Sequence, residues 1–496
     1  MTYALTQKSL LTACVITLVG CAQIPADKEA LPQRNAASAQ LAADIKLARE
    51  GWPEAQWWTR FGDPQLNQLM TRALQDGPTL QVAATRVASA NAALQLDNAN
   101  SGGDIGFKAT SNRQRYSSNG LFPAPIGGAY FSDFNLMLGA SYDFDWWGKR
   151  RAQLAASLGE VTARRAEYAQ AEQTLSAAVA QSYFNLQAGW AHLDNLQQMR
   201  IAQRALVVDK NKRIEHGLAT SDEQRTAEGD LNSLNREVVA IETQITRERE
   251  ALRALIGADA GALTDLTPRV MPQETATMPS SLGIELLARR PDLQAARARV
   301  EASLSRIEVS KAAFYPDISI TGAIGLDSLS VDKLLQFSSR TPFIGATFTL
   351  PLFNSATLQA RLGIARDARN ELIADYNQSV INAIRDVAQA GASLQGLERQ
   401  QREQTAATQL ARDKLRSAEA RFKHGLGDNS SLLNGQLAVF AQHDQDLQLR
   451  AQALLSQIVL IKALGGGYVA EQGSNKDSDG SSEPTANATA QTTPAK

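Results

Sequence analysis

The chain has 496 residues, with 50 basic and 51 acidic side chains and a formal net charge of −1, so its charge balance gives no reason to expect nucleic-acid binding. Its only cysteines are Cys14 and Cys21. Beyond residue 21 the chain therefore has neither a disulfide framework nor a cysteine-based metal site.

The first 20 residues have the pattern of a secretory signal peptide. Their apolar stretch, residues 10–19, is too short to span a bilayer, which needs about 20 residues. The tetrapeptide at 18–21, LVGC, resembles the lipobox of bacterial lipoproteins. That resemblance implies removal of residues 1–20 and lipid attached to Cys21, and Ala22 in place of aspartate implies the outer membrane. The alternative is an ordinary signal peptide cleaved near Ala22.

Two stretches of alternating apolar and polar residues come next, and they predict strands near 104–112 and 133–145. The alternation of the first stretch is weak. In the second stretch it is regular. The apolar positions are Ile105, Phe107 and Ala109, then Phe134, Leu136, Leu138, Ala140, Tyr142 and Phe144.

A long helical hairpin is predicted to follow the second strand, because no proline occurs between Pro125 and Pro268. A helix from near Lys149 to His216 would be about 100 Å long. Gly217 favours the end of this helix, and the hairpin tip is expected near 216–222. The return helix shows a coiled-coil seam of Leu231, Leu234, Val238, Ile241, Ile245, Leu252 and Leu255.

The second half of the chain repeats this order of elements. Period-two patterns predict strands near 317–326 and 343–350, and a second proline-free stretch predicts a hairpin with its tip near 424–430. The hexapeptide at 213–218, RIEHGL, returns as RFKHGL at 421–426. We therefore predict two copies of one helix, strand, strand and helical-hairpin unit.

The domain boundaries follow from the two copies. Residues 21–60 form an extended segment after the lipid site, 61–265 and 283–470 are the two repeats, and 266–282 link them. The Ser-, Thr-, Asn- and Ala-rich residues 471–496 are expected to be a disordered tail.

Alternation over about ten residues is typical of strands in outer-membrane barrels, which begin at eight strands. Four strands cannot close such a barrel, and open edges are not tolerated in lipid. Strands that enter the membrane must therefore be pooled from several chains by cyclic symmetry. The alternative is an ordinary half-buried hairpin on a soluble domain.

The chain resembles the TolC-like outer-membrane channels of tripartite efflux pumps, in their lipoprotein branch. The likeness runs from the lipobox to about residue 467. It is carried by the segments WW at 57–58, FGDPQL at 61–66, LLARRPDL at 286–293, AFYPD at 313–317, LPLF at 350–353 and ALGGGY at 463–468.

This resemblance implies a mainly α fold with a small β membrane part. Three chains would share a 12-stranded β-barrel that continues as a long α-helical tunnel through the periplasm. The partners it implies are two further copies, a periplasmic membrane-fusion adaptor at the tips, an inner-membrane efflux transporter and outer-membrane lipid. The function it implies is passive exit of multidrug or aromatic compounds.

The resemblance also implies that the tips form the gate and contact the adaptor. The residues concerned are Gly217, Leu218, Thr220, Asp222, Gly425, Leu426, Asp428, Ser431 and Asn434. Asp222 matches an aspartate of the family's first tip loop. Gly427 and Asp428 stand where some relatives have a basic latch residue, which puts an Asp–Arg latch in doubt. Neutral Ser431 and Asn434 replace ring aspartates, so we expect a gate that is less cation-selective.

No HExxH, CxxC, GxSxG or phosphate-loop pattern occurs in the sequence, which therefore predicts no enzyme, no metal site and no cofactor other than the lipid on Cys21. His216 and His424 at the tips are interpreted as turn residues rather than metal ligands. Two other functions remain open: a lipid-anchored periplasmic adaptor, and a structural scaffold of an export system. The duplicated strands argue against the adaptor.

Overall fold

The computed structural model describes residues 24–27, 29–35, 45, 50–272, 277–279, 283–351 and 354–468. The signal peptide at 1–20, the lipid site at Cys21 and the tail at 471–496 lie outside the described residues. The elements in chain order are a 3-10 helix, Trp57–Phe61; α1, Pro64–Asp76; α2, Pro78–Ala99; β1, Asp104–Arg115; β2, Tyr130–Asp143; α3, Lys149–Glu215; α4, Ser221–Leu255; α5, Gly283–Arg289; α6, Pro291–Ala312; β3, Asp317–Ser328; β4, Arg340–Thr349; α7, Ser355–Lys423; and α8, Asn429–Ala463.

The two halves of the chain have the same element order and nearly the same helix lengths. α2 and α6 have 22 residues each, α3 and α7 have 67 and 69, and α4 and α8 have 35 each. At 1.5 Å per residue, α3 and α7 are each about 100 Å long. The predicted duplicated unit of a helix, two strands and a helical hairpin is confirmed.

The long helices pack side by side in an array. α4 packs on α3, α3 packs on α8, and α8 packs on α7, so α4 and α7 are the outer helices. The buried residues of α4 are Ala227, Leu234, Val238, Ile245 and Leu252, at the coiled-coil spacing that the sequence predicts. Within the described part of the chain, no helix has both the length and the apolar character needed to cross a bilayer.

The largest core cluster lies near the middle of the molecule, where the 3-10 helix and α1 pack on α3. Phe61 packs edge to face on Phe184, with the ring centroids 5.1 Å apart. Asp63 accepts hydrogen bonds from two backbone N–H groups at the start of α1, and the Tyr183 hydroxyl donates to its other oxygen at 2.6 Å. This network ties the beginning of the first repeat to the centre of its long helix.

The four strands form one antiparallel sheet in the order β1-β2-β3-β4. Leu138 lies opposite Phe107 on one side and Ile324 on the other, so these three side chains share a face. The register brings the apolar positions of all four alternating patterns to this same face. The side chains exposed there are Ile105, Phe107, Leu138, Tyr142, Ile320, Ile324, Ile344 and Phe348.

Candidate functional site

The first tip is the turn between α3 and α4. The N–H of Gly217 donates to the Ile214 carbonyl at 2.9 Å, and the N–H of Leu218 donates to the Arg213 carbonyl at 2.7 Å. Gly217 has φ +68°, a conformation that glycine adopts without steric cost, so it ends α3 as predicted. The turn leaves the Leu218 side chain 66% exposed at the end of the molecule.

The return helix of the first tip begins with a side-chain cap. Thr220 Oγ1 accepts a hydrogen bond from the Glu223 N–H at 3.3 Å. The Glu223 carboxylate is bound by Lys210 Nζ at 2.5 Å, and this bond holds its pKa below the usual value. Asp222 pairs with Arg225, one turn further along the same helix, so both members of this ion pair lie on α4.

The second tip repeats this geometry between α7 and α8. Gly425 has φ +70°, and the N–H of Leu426 donates to the Arg421 carbonyl at 2.8 Å. Leu426 is 79% exposed. Asp428 caps α8 by accepting a hydrogen bond from the Ser431 N–H at 2.9 Å. Hydrogen bonds from Ser431, first from its side chain, hold the pKa of the Asp428 carboxyl below its usual value.

Polar contacts join the two tips within one protomer, and we call this set the tip junction: Asp209 and Arg213 of α3 with Asp428, Asn429 and Ser430. Arg213 Nη1 donates to Asp428 Oδ2 at 2.6 Å. Asn429 Nδ2 and Ser430 Oγ donate to the Asp209 carboxylate at 3.0 and 2.5 Å. Ser430 is buried. The start of α8 is therefore held against the end of α3.

An aspartate–arginine pair is thus present at the tips, although the sequence at 427–428 gives reason to doubt that such a pair would form. It differs from the arrangement that the resemblance implies, because the acid is on the second tip loop and the base on α3. Arg213 belongs to the repeated hexapeptide, but its copy Arg421 has no equivalent side-chain pair in the described residues. Sequence reasoning missed Asp209 and Arg213, since only the packing of α3 on α8 brings them to the second tip.

Ser431 and Asn434 lie on one exposed stripe of α8. The stripe continues up the helix at spacings of three, four and seven residues and consists of uncharged side chains. Its residues are Ser431, Asn434, Ala438, Gln445, Gln448 and Gln452.

A second candidate site is the N-terminal strap, which we define as residues 24–27 and 29–35. The strap lies along α7. Arg366 and Arg369, 9% and 5% exposed, both pair with the Asp27 carboxylate at 3.1 and 2.9 Å. Arg366 also donates to the carbonyls of Pro25 and Ala26 at 2.8 and 3.0 Å. The two arginines of this charged contact are therefore shielded from water, whereas the Asp27 carboxylate is 40% exposed.

The strap runs in the same direction as α7. Ile24 packs on a small cluster that includes Phe314 and Leu358, next to the start of β3 and the beginning of α7. Ten residues later, the N–H of Arg34 donates to Asn377 Oδ1 at 2.7 Å, further along the helix. The first described residue of the strap is therefore at the sheet end of α7.

An antiparallel sheet with an exposed apolar face, from which two hairpins about 100 Å long extend to paired tips, defines an outer-membrane channel. The model of the family described as "Outer membrane efflux protein" matches residues 69–258 and 282–466. The chain belongs to this family.

Similar proteins agree with this assignment over almost the whole chain. The multidrug resistance outer membrane protein MdtP of Escherichia coli K12 is 37% identical over 477 residues, covering 94% of this chain and 98% of its own. The multidrug resistance outer membrane protein MdtQ of E. coli O157:H7 is 34% identical, covering 92% and 96%.

Among solved structures, the outer membrane protein VceC of Vibrio cholerae has a TM-score of 0.76 and 29% sequence identity, covering 84% of this chain and 100% of its own. Together with the family match, these similarities identify the chain as an outer-membrane channel of a tripartite efflux pump, with its helical bulk in the periplasm.

Proposed function

We propose that three copies of this chain form one passive exit duct for multidrug and aromatic compounds. The observation that carries the proposal is the four-stranded sheet, in which, among the described residues, β1 and β4 each have one partner and one open edge. An open edge cannot stay in hydrocarbon, and four strands are too few to close on themselves. Three copies related by a threefold axis pool twelve strands into a closed sheet. The exposed apolar face of that sheet meets lipid.

The helical part of the duct reaches toward the inner membrane. Hairpins about 100 Å long extend well into the periplasm, and the tips are where a further component docks. Leu218 and Leu426 are exposed apolar side chains at equivalent places on the two tip turns, and burying them against a protein partner would remove apolar surface from water. That partner is a periplasmic adaptor, which opens the tips and couples the duct to an inner-membrane transporter.

Lipid on Cys21 would hold the chain at the membrane from the start of the strap. Cys21 lies three residues before Ile24, so it can reach at most about 10 Å from the sheet end of α7. A lipid attached there can enter the bilayer level that the sheet occupies. The acyl chains act as an anchor rather than as a cofactor of a reaction, and the chain itself is not an enzyme.

Aspartate at both tip leucines is expected to abolish efflux without removing the channel from the membrane. Leu218→Asp with Leu426→Asp puts charge into the adaptor contact, and we expect roughly a tenfold or greater loss of drug resistance. The measurement is the inhibitory drug concentration in cells that depend on this channel, together with immunoblots of outer-membrane trimers. Val270→Asp changes a 94% exposed apolar residue outside the tips and should leave resistance unchanged. Unchanged resistance in the double variant contradicts docking at the tips.

Asn434→Asp is expected to make the channel more cation-selective. Three copies would then place a ring of carboxylates at the tips, and acidic rings favour cations. The reversal potential of reconstituted channels across a salt gradient should shift toward that of a cation-selective pore, while Asn434→Gln should not move it. Strong cation selectivity of the unaltered channel that survives Asp222→Asn would contradict a weakly selective gate.

A further inference from the structure

Near the tips, the outer helices of the array each pack on one neighbouring helix of the protomer. α4 packs on α3 through the coiled-coil seam, and the lower half of α7, residues 395–423, has Ala411 and Ala418 as its buried residues. Away from these seams, Val239 of α4 and Leu410 of α7 are both 62% exposed. Single exposed apolar side chains are common on protein surfaces, so the charges of the two helices decide what covers these faces.

The charges of these two helices are complementary. α4 has eight acidic and five basic side chains, a net charge of −3, while residues 395–423 of α7 have seven basic and four acidic side chains, a net charge of +3. In a ring of copies, the α4 of one protomer lies beside the α7 of the next. The occupant that fits each open surface is therefore a second copy of this chain, as the proposed trimer requires.

Symmetry fixes which residues face one another, because rotation about the tunnel axis leaves height unchanged. The tip junction puts both tips at one end of the molecule. α4 begins there at Ser221 and α7 ends there at Lys423, so the two helices run in opposite directions. With Ser221 and Lys423 set at the same height, a residue a given number of positions after Ser221 has the height of the residue equally far before Lys423.

At every height in this region where both helices carry a charge, the two charges are opposite. Glu228 and Arg416 are each seven residues from the end, and Glu242 and Arg402 are each 21 residues from it, about 32 Å up the tunnel. The helical period also places these two acids and these two bases on matching sides of their helices. The complete set is Glu223 with Arg421, Arg225 with Glu419, Glu228 with Arg416, Asp230 with Lys414, and Glu242 with Arg402.

The Glu242–Arg402 pair, like Asp230–Lys414, is unoccupied within the described part of the protomer. Among the described residues, neither side chain has an ion pair or a hydrogen bond, and both residues are exposed. Glu223, by contrast, is already bound by Lys210 of α3. Glu242 and Arg402 are therefore free to bind across a subunit boundary.

We propose that α4 and the lower half of α7 of neighbouring copies form an ion-paired clasp in this register, with Glu242 bound to Arg402 of the next copy. This inference rests on the proposed trimer. It adds which helix faces meet between subunits and which charged residues pair there. The clasp closes the lower tunnel between subunits, whereas the tip junction acts within one subunit. It also weakens as ionic strength rises, because its charges are exposed.

Cysteine cross-linking in native membranes tests the register. Val239→Cys and Ala406→Cys introduce thiols at heights that differ by one residue, and both residues are exposed. The only native cysteines are Cys14 and Cys21, so few other thiols compete for the cross-linker. A short bis-maleimide should link one copy to the next and give a covalent trimer.

Charge changes added to the variant with Val239→Cys and Ala406→Cys test the pairing. Glu242→Arg or Arg402→Glu alone should lower the cross-linking yield roughly two- to fivefold, and the two together should restore it. Glu237→Arg makes the same charge change at a height where α7 has the uncharged Ala407, and it should leave the yield unchanged.

The clasp is overturned if trimers form but Val239→Cys and Ala406→Cys do not link, or if the double charge swap fails to restore the yield. A chain that remains monomeric in the outer membrane contradicts the proposed function itself. Detergent-resistant trimers on gels separate these two outcomes.

Discussion

Replacing Asp27 by alanine is expected to release the N-terminal strap from α7. The substitution leaves Arg366 and Arg369 charged, 9% and 5% exposed, and without a carboxylate. Breaking a buried ion pair by removing one partner costs about 3–5 kcal/mol. Because the Asp27 side chain is 40% exposed, we expect roughly 2 kcal/mol, enough to raise the population of the undocked strap on the order of 30-fold.

Hydrogen exchange on trimers in detergent measures this release, because the N–H groups of Leu31 and Arg34 are bonded to α7 in the docked state. Their exchange should become faster in the Asp27→Ala variant. Glu29→Ala is the matched control, since it removes a carboxylate of the same strap that has no ion pair among the described residues. Unchanged exchange in the Asp27 variant would show that the backbone contacts alone hold the strap.

The pH dependence of docking has a definite sign. The hydrogen bond from Arg369 is the largest cause that lowers the pKa of Asp27 in the docked state. A carboxyl group whose pKa is lower in the docked state stabilises docking fully at pH values above its undocked pKa. This stabilisation is lost as the pH falls through the docked pKa. The strap should therefore remain docked at neutral and mildly acidic pH and loosen only below about pH 4.

The fold was largely predictable from the sequence because its determinants are local and periodic. Alternation in each strand anticipated which side chains share one sheet face, as Phe107, Leu138 and Ile324 do. Heptad spacing anticipated the buried residues of α4, such as Leu234 and Val238. Because the chain is duplicated, the pattern of each element occurs a second time in the sequence.

The tip junction and the strap were not predictable, because they join residues that are distant in sequence. Arg213 and Asp428 are 215 residues apart, and Arg369 and Asp27 are 342 apart. No local pattern pairs such residues, and a charged side chain on a helix is usually solvated. Only the packing of α3 on α8, and of the strap on α7, brings the opposite charges together.

Breaking the tip junction is expected to open the proposed gate. Asp428→Asn removes the charge that binds Arg213, yet asparagine can still cap α8, so the helix start is kept. Arg213→Gln removes the other partner. One partly exposed ion pair is worth about 1 kcal/mol at most, but three tips that open together add their contributions. We therefore expect about 3 kcal/mol, on the order of a 100-fold shift toward the open state.

Single-channel recordings of reconstituted trimers measure this shift as the fraction of time in the high-conductance state. Arg297→Gln is the matched control, because Arg297 also pairs with an acid, Glu301, but within α6 and away from the tips. It should leave the open fraction unchanged. The double variant, Arg213→Gln with Asp428→Asn, should open no further than either single variant, since the same pair is lost in all three. Fully additive effects would mean that the two residues act through separate contacts and that their ion pair does not hold the tips closed.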